Sequence, residues 1–219
     1  LTGPKPFDVS GEIGIVLNIS KKVKINFSDK VNLLLNSRIY NQNQDYKSEV
    51  GTNKFKGKSK INEWNNSILL NHAVSDNFKL VYDLYATNYK ANEYLNDQNN
   101  QPFDESKFNQ WYFRPEIRSH YKVGKNTLST GIGVNYETLD RTYFENKATL
   151  NSEYIFGQFE WFIKEKWNIL AGFRYDNHHQ YQSQFSPKIG VNYKWNDNFS
   201  LKTSVGYGYK APDLRQLYF

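Results

Sequence analysis

The stretch Asn62–Thr87 reads NEWNNSILLNHAVSDNFKLVYDLYAT, and its period decides the fold class. Trp64, Ile68, Leu70 and Val74 share one face of an extended chain, with Glu63, Asn65, Ser67 and Asn71 on the other. After Ser75-Asp76-Asn77 the alternation restarts, with Phe78, Leu80, Tyr82 and Leu84 against Lys79, Asp83 and Thr87. Successive side chains of a strand point to opposite faces, whereas a helix spaces its apolar residues three and four apart. The stretch is therefore two strands joined by a tight turn.

The same period extends in both directions. Trp111, Phe113, Ile117 and Tyr121 oppose Gln110, Arg114, Glu116, Arg118 and His120. Leu128, Ile132, Val134 and Tyr136 oppose Ser129, Gly131, Gly133, Asn135 and Glu137. Ile155, Phe159, Trp161 and Ile163 oppose Gln158 and Glu160. Trp167, Ile169, Ala171, Phe173 and Tyr175 oppose Asn168, Gly172, Arg174 and Asp176, and further strands follow over Phe185–Trp195 and Phe199–Tyr209. Towards the N-terminus, Ile13–Phe27 and Val31–Ile39 alternate as well. That makes about ten strands.

Tight turns sit at Ser28-Asp29-Lys30, Ser75-Asp76-Asn77, Lys122–Asn126, Lys164-Glu165-Lys166 and Asn196-Asp197-Asn198. They alternate strictly with longer segments read as loops: Gln42–Lys60, Lys90–Lys107, Asp140–Asn151 and Asn177–Gln184. Short turns on one rim and long loops on the other predict an all-β, transmembrane antiparallel up-and-down β-barrel of the outer membrane. Strand Ile13–Phe27 runs into a short turn and strand Phe199–Tyr209 leaves one, so both chain ends fall on the long-loop rim. Barrels with an even strand number keep both ends on the short-turn rim, so residues 1–219 are expected to be part of a larger barrel.

Composition fits. The 219 residues are only 38% hydrophobic, yet 17% are aromatic, which argues against disorder. A barrel has an apolar lipid face, a polar lumen and aromatic girdles, and Trp64, Tyr121, Trp167, Trp195, Phe199, Tyr207 and Tyr209 stand near strand ends. No apolar run approaches the ~20 residues of a membrane-spanning helix. Cysteine is absent, which removes disulfides, thiolate metal sites and Cys nucleophiles. The net charge of +6 comes from 28 Lys and Arg scattered singly among 22 acids, with no basic run or nucleic-acid motif, so no nucleic-acid partner is expected. The four His are dispersed apart from one pair, and no phosphate loop or metal-spaced cluster appears. Neither an enzyme nor a resident metal or cofactor is expected. The alternatives are a passive or structural outer-membrane barrel without a plug, and a soluble β-barrel binding protein.

The run from Ala171, AGFRYDNHHQYQSQFSPKIGVNYKWNDNFSLKTSVGYGYKAPDLRQLYF, resembles the mid-barrel region of TonB-dependent outer-membrane receptors for siderophores, haem and cobalamin. The matching pieces are GFRYDNH, Phe185-Ser186-Pro187-Lys188, and Gly208-Tyr209-Lys210-Ala211-Pro212 followed by Leu214 and Leu217-Tyr218. The resemblance implies a barrel of about 22 strands, of which this chain supplies about ten. It also implies a plug domain, a TonB box and further strands outside residues 1–219. The implied function is active import of a scarce large nutrient (an iron-siderophore, haem or cobalamin) into a Gram-negative bacterium. TonB and outer-membrane lipid are the implied partners, and a surface lipoprotein is a further one to test.

Candidate ligand contacts follow. His178 and His179 are candidate axial ligands for haem iron, although a His at this strand-to-loop junction also fits the family pattern structurally. Tyr209, with Lys210, Ala211 and Pro212, begins an outer loop near the family's substrate path. Pro ends a ladder because it lacks a donor, which gives the box a structural role. Lumen-facing Arg114, Glu116, Arg118, Glu137, Glu160, Arg174 and Asp176 must be paired where buried. Arg114 and Arg118 are candidates for attracting an anionic iron chelate; packing against a plug or neighbouring strands is the plainer role. Tyr94 and Phe103 are candidate aromatic contacts in an outer loop.

Overall fold

A computed structural model describes residues 8–50 and 53–218. Ten strands pair in chain order into one antiparallel sheet. They are β1 (Asp8–Asn26), β2 (Val31–Val50), β3 (Asn53–Ala73), β4 (Phe78–Asn96), β5 (Pro102–Val123), β6 (Asn126–Arg141), β7 (Ala148–Ile163), β8 (Trp167–His178), β9 (Gln184–Lys194) and β10 (Ser200–Gly206). A short helix, α1 (Leu214–Tyr218), follows β10.

Side-chain chemistry closes the tight turns. Ser28 Oγ accepts from the N–H groups of Lys30 and Val31, and Asn196 Oδ1 from those of Asn198 and Phe199. Such local bonds let polar residues replace ladder partners at a turn. Gly124 takes φ 61° between β5 and β6, a left-handed conformation that costs glycine little. In the β9–β10 turn the Lys194 ammonium, 2.6 Å from Asp197, holds that carboxyl below its usual range.

Register separates the faces. Trp64 pairs with Asn88 and Asn88 with Trp111, and the two indoles meet edge-on at 5.2 Å. Towards the tight-turn rim, Phe78 meets Tyr121 at 6.3 Å and Trp167 meets Tyr193 at 4.3 Å. Between these two aromatic levels lie exposed Ile68, Leu84, Ile117, Ile132, Ile155 and Ile189, the belt that faces hydrocarbon. Lys21, on β1 between Ile19 and Val23, is a charge on this apolar face. The opposite face lines the lumen.

Two of the segments read as loops are strand instead. β2 continues to Val50 against a β3 that begins at Asn53, and β4 continues to Asn96 against a β5 that begins at Pro102. Beyond the membrane both faces meet water, so apolar alternation fades while the backbone ladder continues. The other two loops shrink to 142–147 and 179–183, and β10 stops at Gly206 rather than reaching Tyr209. The rims still differ, because the long side is built of protruding hairpins.

Candidate functional site: the charged lumen wall and the segment docked on it

β4, β5, β7 and β8 each place charged or phenolic side chains on the lumen face at one height. Asp83 pairs in register with Glu116, and Tyr154 with Asp176. Arg118 Nη2 donates to Asp83 Oδ2 at 3.0 Å, and Arg114 Nη2 lies 3.9 Å from the same oxygen. Arg118 Nε stands 3.0 Å from Glu116 Oε1 without the alignment of a hydrogen bond. Tyr154 Oη donates to Glu116 Oε2 at 2.5 Å. Arg174 holds Asp176 through both Nε and Nη2 and lies 3.8 Å above the Tyr154 ring. Arg114 lies 5.6 Å from the Tyr85 ring centre.

Asp83 and Glu116 are largely shielded, whereas the arginines keep about a third of their surface open, at 38% for Arg114 and 32% for Arg118. The Nε atoms of Arg114 and Arg118 are buried without a hydrogen-bond acceptor among the described residues. The wall thus holds its carboxylates tightly, while the partly open arginine side chains line a groove of about 690 Å³. Arg114, Arg118, Arg174 and Lys188 line that groove against Asp83 and Glu116, a positive balance.

The Tyr209–Tyr218 box lies elsewhere in the lumen. After β10 the chain turns back across the upper ends of β5, β6 and β7. Leu214 is 1% exposed and packs with Phe108, Leu139 and Leu150, alongside Tyr89 and Tyr181. Its N–H donates to Glu137 Oε1, which also accepts from Gln110 Nε2 at 2.5 Å. Asp213 and Gln216 cap the first turn of α1 reciprocally, each backbone N–H bonded to the other's side chain. Leu217 is exposed at 42%.

His178 and Tyr209 come together, their rings 6.0 Å apart, and Tyr181 stands at 6.0 Å on His178 as well. His178 is on the lumen face, opposite Ser152, with a buried Nδ1 that has no partner among the described residues. His179 lies past the end of β8 and bonds Glu153 on the outer face at 2.7 Å. The two histidines of the pair therefore part, His178 to the lumen face and His179 to the outer one. Phe103 packs on Phe55 at 4.6 Å. Sequence reasoning placed Glu137 among the lumen-facing charges but did not single out Asp83 or Tyr154 as organising groups. Their alternation parity was visible, but the cross-strand register that joins them was not.

An antiparallel wall with an apolar belt outside and a charged face inside is that of an outer-membrane β-barrel. The chain belongs to the TonB-dependent receptor family: the model for TonB dependent receptor-like, beta-barrel domains matches residues 17–219. Among curated proteins, it is 31% identical over 93 residues to the probable TonB-dependent siderophore receptor PirA of Acinetobacter baumannii, covering 42% of this chain and 12% of that protein. It is 23% identical over 201 residues to the vitamin B12 transporter BtuB of Vibrio cholerae, covering 88% of this chain and 31% of that protein. The chain thus spans no more than about a third of either relative.

Among solved structures, the siderophore receptor PirA of Pseudomonas aeruginosa superposes with a TM-score of 0.60 at 14% identity, over 95% of this chain and 45% of that one. The RagAB peptide importer gives a TM-score of 0.67 at 10% identity, over 91% and 34%. These likenesses show the fold. The place of the chain is the outer membrane of a Gram-negative bacterium.

Proposed function

We propose that residues 1–219 form part of the barrel wall of a TonB-dependent importer whose cargo is an anionic ferric-siderophore complex, with haem and then cobalamin as the next candidates. The observation that carries this reading is the excess of guanidinium and ammonium groups lining the lumen groove, with the Arg114 and Arg118 side chains about a third open. An Fe(III) ion wrapped by dianionic catecholate donors carries net negative charge over a broad polar surface, which such a groove attracts and does not grip. Cargo binds first at the outer hairpins, where exposed Phe103 offers aromatic surface, whereas Tyr94 pairs with Lys58 on the outward face. TonB then pulls on a plug domain outside these residues and opens a path along the polar wall. A surface lipoprotein that caps the hairpins is compatible with their reach.

The test uses the full-length receptor and its deletion strain. Tryptophan fluorescence of the purified receptor is titrated with ferric siderophores of hydroxamate and catecholate type, haemin and cyanocobalamin. Growth of the strain on each as sole source is compared with and without TonB. TonB-dependent growth on a ferric siderophore, lost on deletion, supports the reading. Growth that is independent of TonB overturns it in favour of a passive barrel.

A further inference from the structure

Along the lumen face of the strands the cations change kind with depth. In the upper and middle lumen they are arginines set against side-chain oxygens or rings. Arg38 Nε donates to Asn18 at 3.2 Å, Arg118 to Asp83 at 3.0 Å, Arg174 holds Asp176, and Arg114 lies towards the Tyr85 ring. Near the tight turns they are lysines: Lys22, Lys24, Lys79, Lys122, Lys194 and Lys202. Lys24 pairs in register with Leu34, Lys79 with His120, Lys122 with Thr127 and Lys202 with Asn192, so no carboxylate stands opposite any of these four. Among the described residues, Glu160 is the one lumen-facing carboxylate at this depth, and it accepts from Asn168. The lumen is thus mixed in charge above and positive towards the tight-turn rim.

Lys188 stands where the two zones meet. It lies six residues above Lys194 on β9, about 15 Å from the rim at 3.3 Å per residue and a tilt near 40°. It lines the charged groove with Arg114, Arg118 and Arg174, but each of those has a carboxylate within 4 Å. Lys188 is exposed and has no ion-pair partner among the described residues. Its neighbours in register are Gly172 on β8 and Gly206 on β10, neither with a side chain to cover it. A Cβ at Gly206 would stand 3.3 Å from both Cβ and Cγ of Lys188. The two glycines keep a lane clear in which the lysine stem can swing.

Residue type fits this division. A guanidinium is a rigid fork that suits a fixed partner, whereas an ammonium is a compact charge on a flexible four-carbon stem. Arginines paired to the wall hold it in shape. An unpaired lysine can follow an anion as it moves, and a path conducts when each site attracts weakly enough to let go.

We propose that Lys188 is a selectivity residue of the transport path: it takes anionic cargo from the arginine tier and passes it to the lysine-lined lower lumen. The inference rests on the anionic ferric cargo proposed above and deepens it, by assigning the step that follows binding at the hairpins.

The test uses the full-length receptor in its deletion strain, with Lys188→Gln, Lys188→Arg and Lys188→Glu. The probe is a tricatecholate siderophore loaded with radioactive iron, and its TonB-dependent uptake is followed against concentration. One charge contact in water is worth about a fivefold factor, so Lys188→Gln is expected to lower the maximal uptake rate about fivefold with the half-saturating concentration unchanged. Lys188→Arg should keep most of the rate, and Lys188→Glu should lose more than Lys188→Gln. A wild type that does not import the ferric tricatecholate overturns the cargo reading and this inference with it. A wild type that imports it as fast as Lys188→Gln does overturns this inference alone. Entry of a large antibiotic into cells carrying Lys188→Gln, without TonB, would show that the lysine pins the plug instead, and would also overturn it. If Lys188→Gln does not reach the membrane, the double variant Lys24→Gln with Lys202→Gln carries the test, with a loss of rate expected and an unchanged rate overturning the proposal.

Discussion

The backbone N–H of Leu214 donates to a carboxylate oxygen of Glu137 at 3.3 Å, across 77 residues of sequence. One carboxylate thus holds both Gln110 on the wall and the first turn of α1. Leu214 fills the apolar niche beside it. Leu214→Ala is expected to weaken docking of residues 207–218 by about 2–5 kcal/mol, the usual range for truncating a buried leucine. Because the niche is local, the ladder beneath should hold. Amide hydrogen exchange should quicken over 207–217 and stay unchanged in β6 and β7. Uniform quickening would mean that Leu214 supports the barrel rather than the segment.

Asp83 is shared by two arginines, at 3.0 Å from Arg118 and 3.9 Å from Arg114. Removing the carboxylate leaves two guanidinium groups facing each other across a partly shielded wall. Asp83→Asn is expected to destabilise the receptor by about 1–3 kcal/mol, since hydrogen bonds to charged groups lie in that range. A double-mutant cycle of Asp83→Asn with Arg118→Gln should return a coupling of about 1 kcal/mol or more. Denaturant midpoints in vesicles give all four corners. A coupling near zero would show that solvent screens the pair completely.

Gly133 sits beneath Tyr154, and a Cβ built there would stand 2.4 Å from both Cζ and Oη of the phenol. Tyr154 is only 3% exposed, so its ring has little room to move. Gly133→Ala should displace the ring, break its bond to Glu116 and cost about 1–3 kcal/mol. Tyr154→Phe removes only the hydroxyl and should cost about 1–2 kcal/mol. If Gly133→Ala proves the milder of the two, the ring has another place to go.

The belt was legible because lipid imposes one rule on every strand. An outward position between the girdles must be apolar, so Ile117, Ile132 and Ile189 announce themselves by parity alone. The hairpin extensions were not legible, because residues such as Asn43 and Lys60 pair through their backbones with no apolar face to reveal it. The lumen wall was half legible. Arg114, Glu116 and Arg118 share a face by parity, but Asp83 and Tyr154 join them through register between strands, which local pattern does not encode. The Ala211-Pro212 break put the end of the ladder after Tyr209, beyond Gly206 where β10 stops, and burial of Leu214 beside Glu137 depends on a contact 77 residues away.

Lys21 tests the assignment of the faces. It is exposed on β1 between Ile19 and Val23 and pairs with Ser37, which pairs with Asn66, so three polar residues interrupt the belt side by side. A lysine at the bilayer midplane costs a barrel about 2–4 kcal/mol, and less towards either interface. Its long stem lets the ammonium reach for a polar layer, which lowers the cost without removing it. Lys21→Leu should therefore stabilise the full-length receptor in vesicles by about 1–3 kcal/mol. Lys24→Leu, on the lumen face opposite Leu34, removes the same charge from a watery surface and should bring no such gain. Guanidinium midpoints for both variants decide the matter. Destabilisation by Lys21→Leu alone would mean that a polar partner covers this position within the membrane, and that the outer face of β1 meets protein rather than lipid.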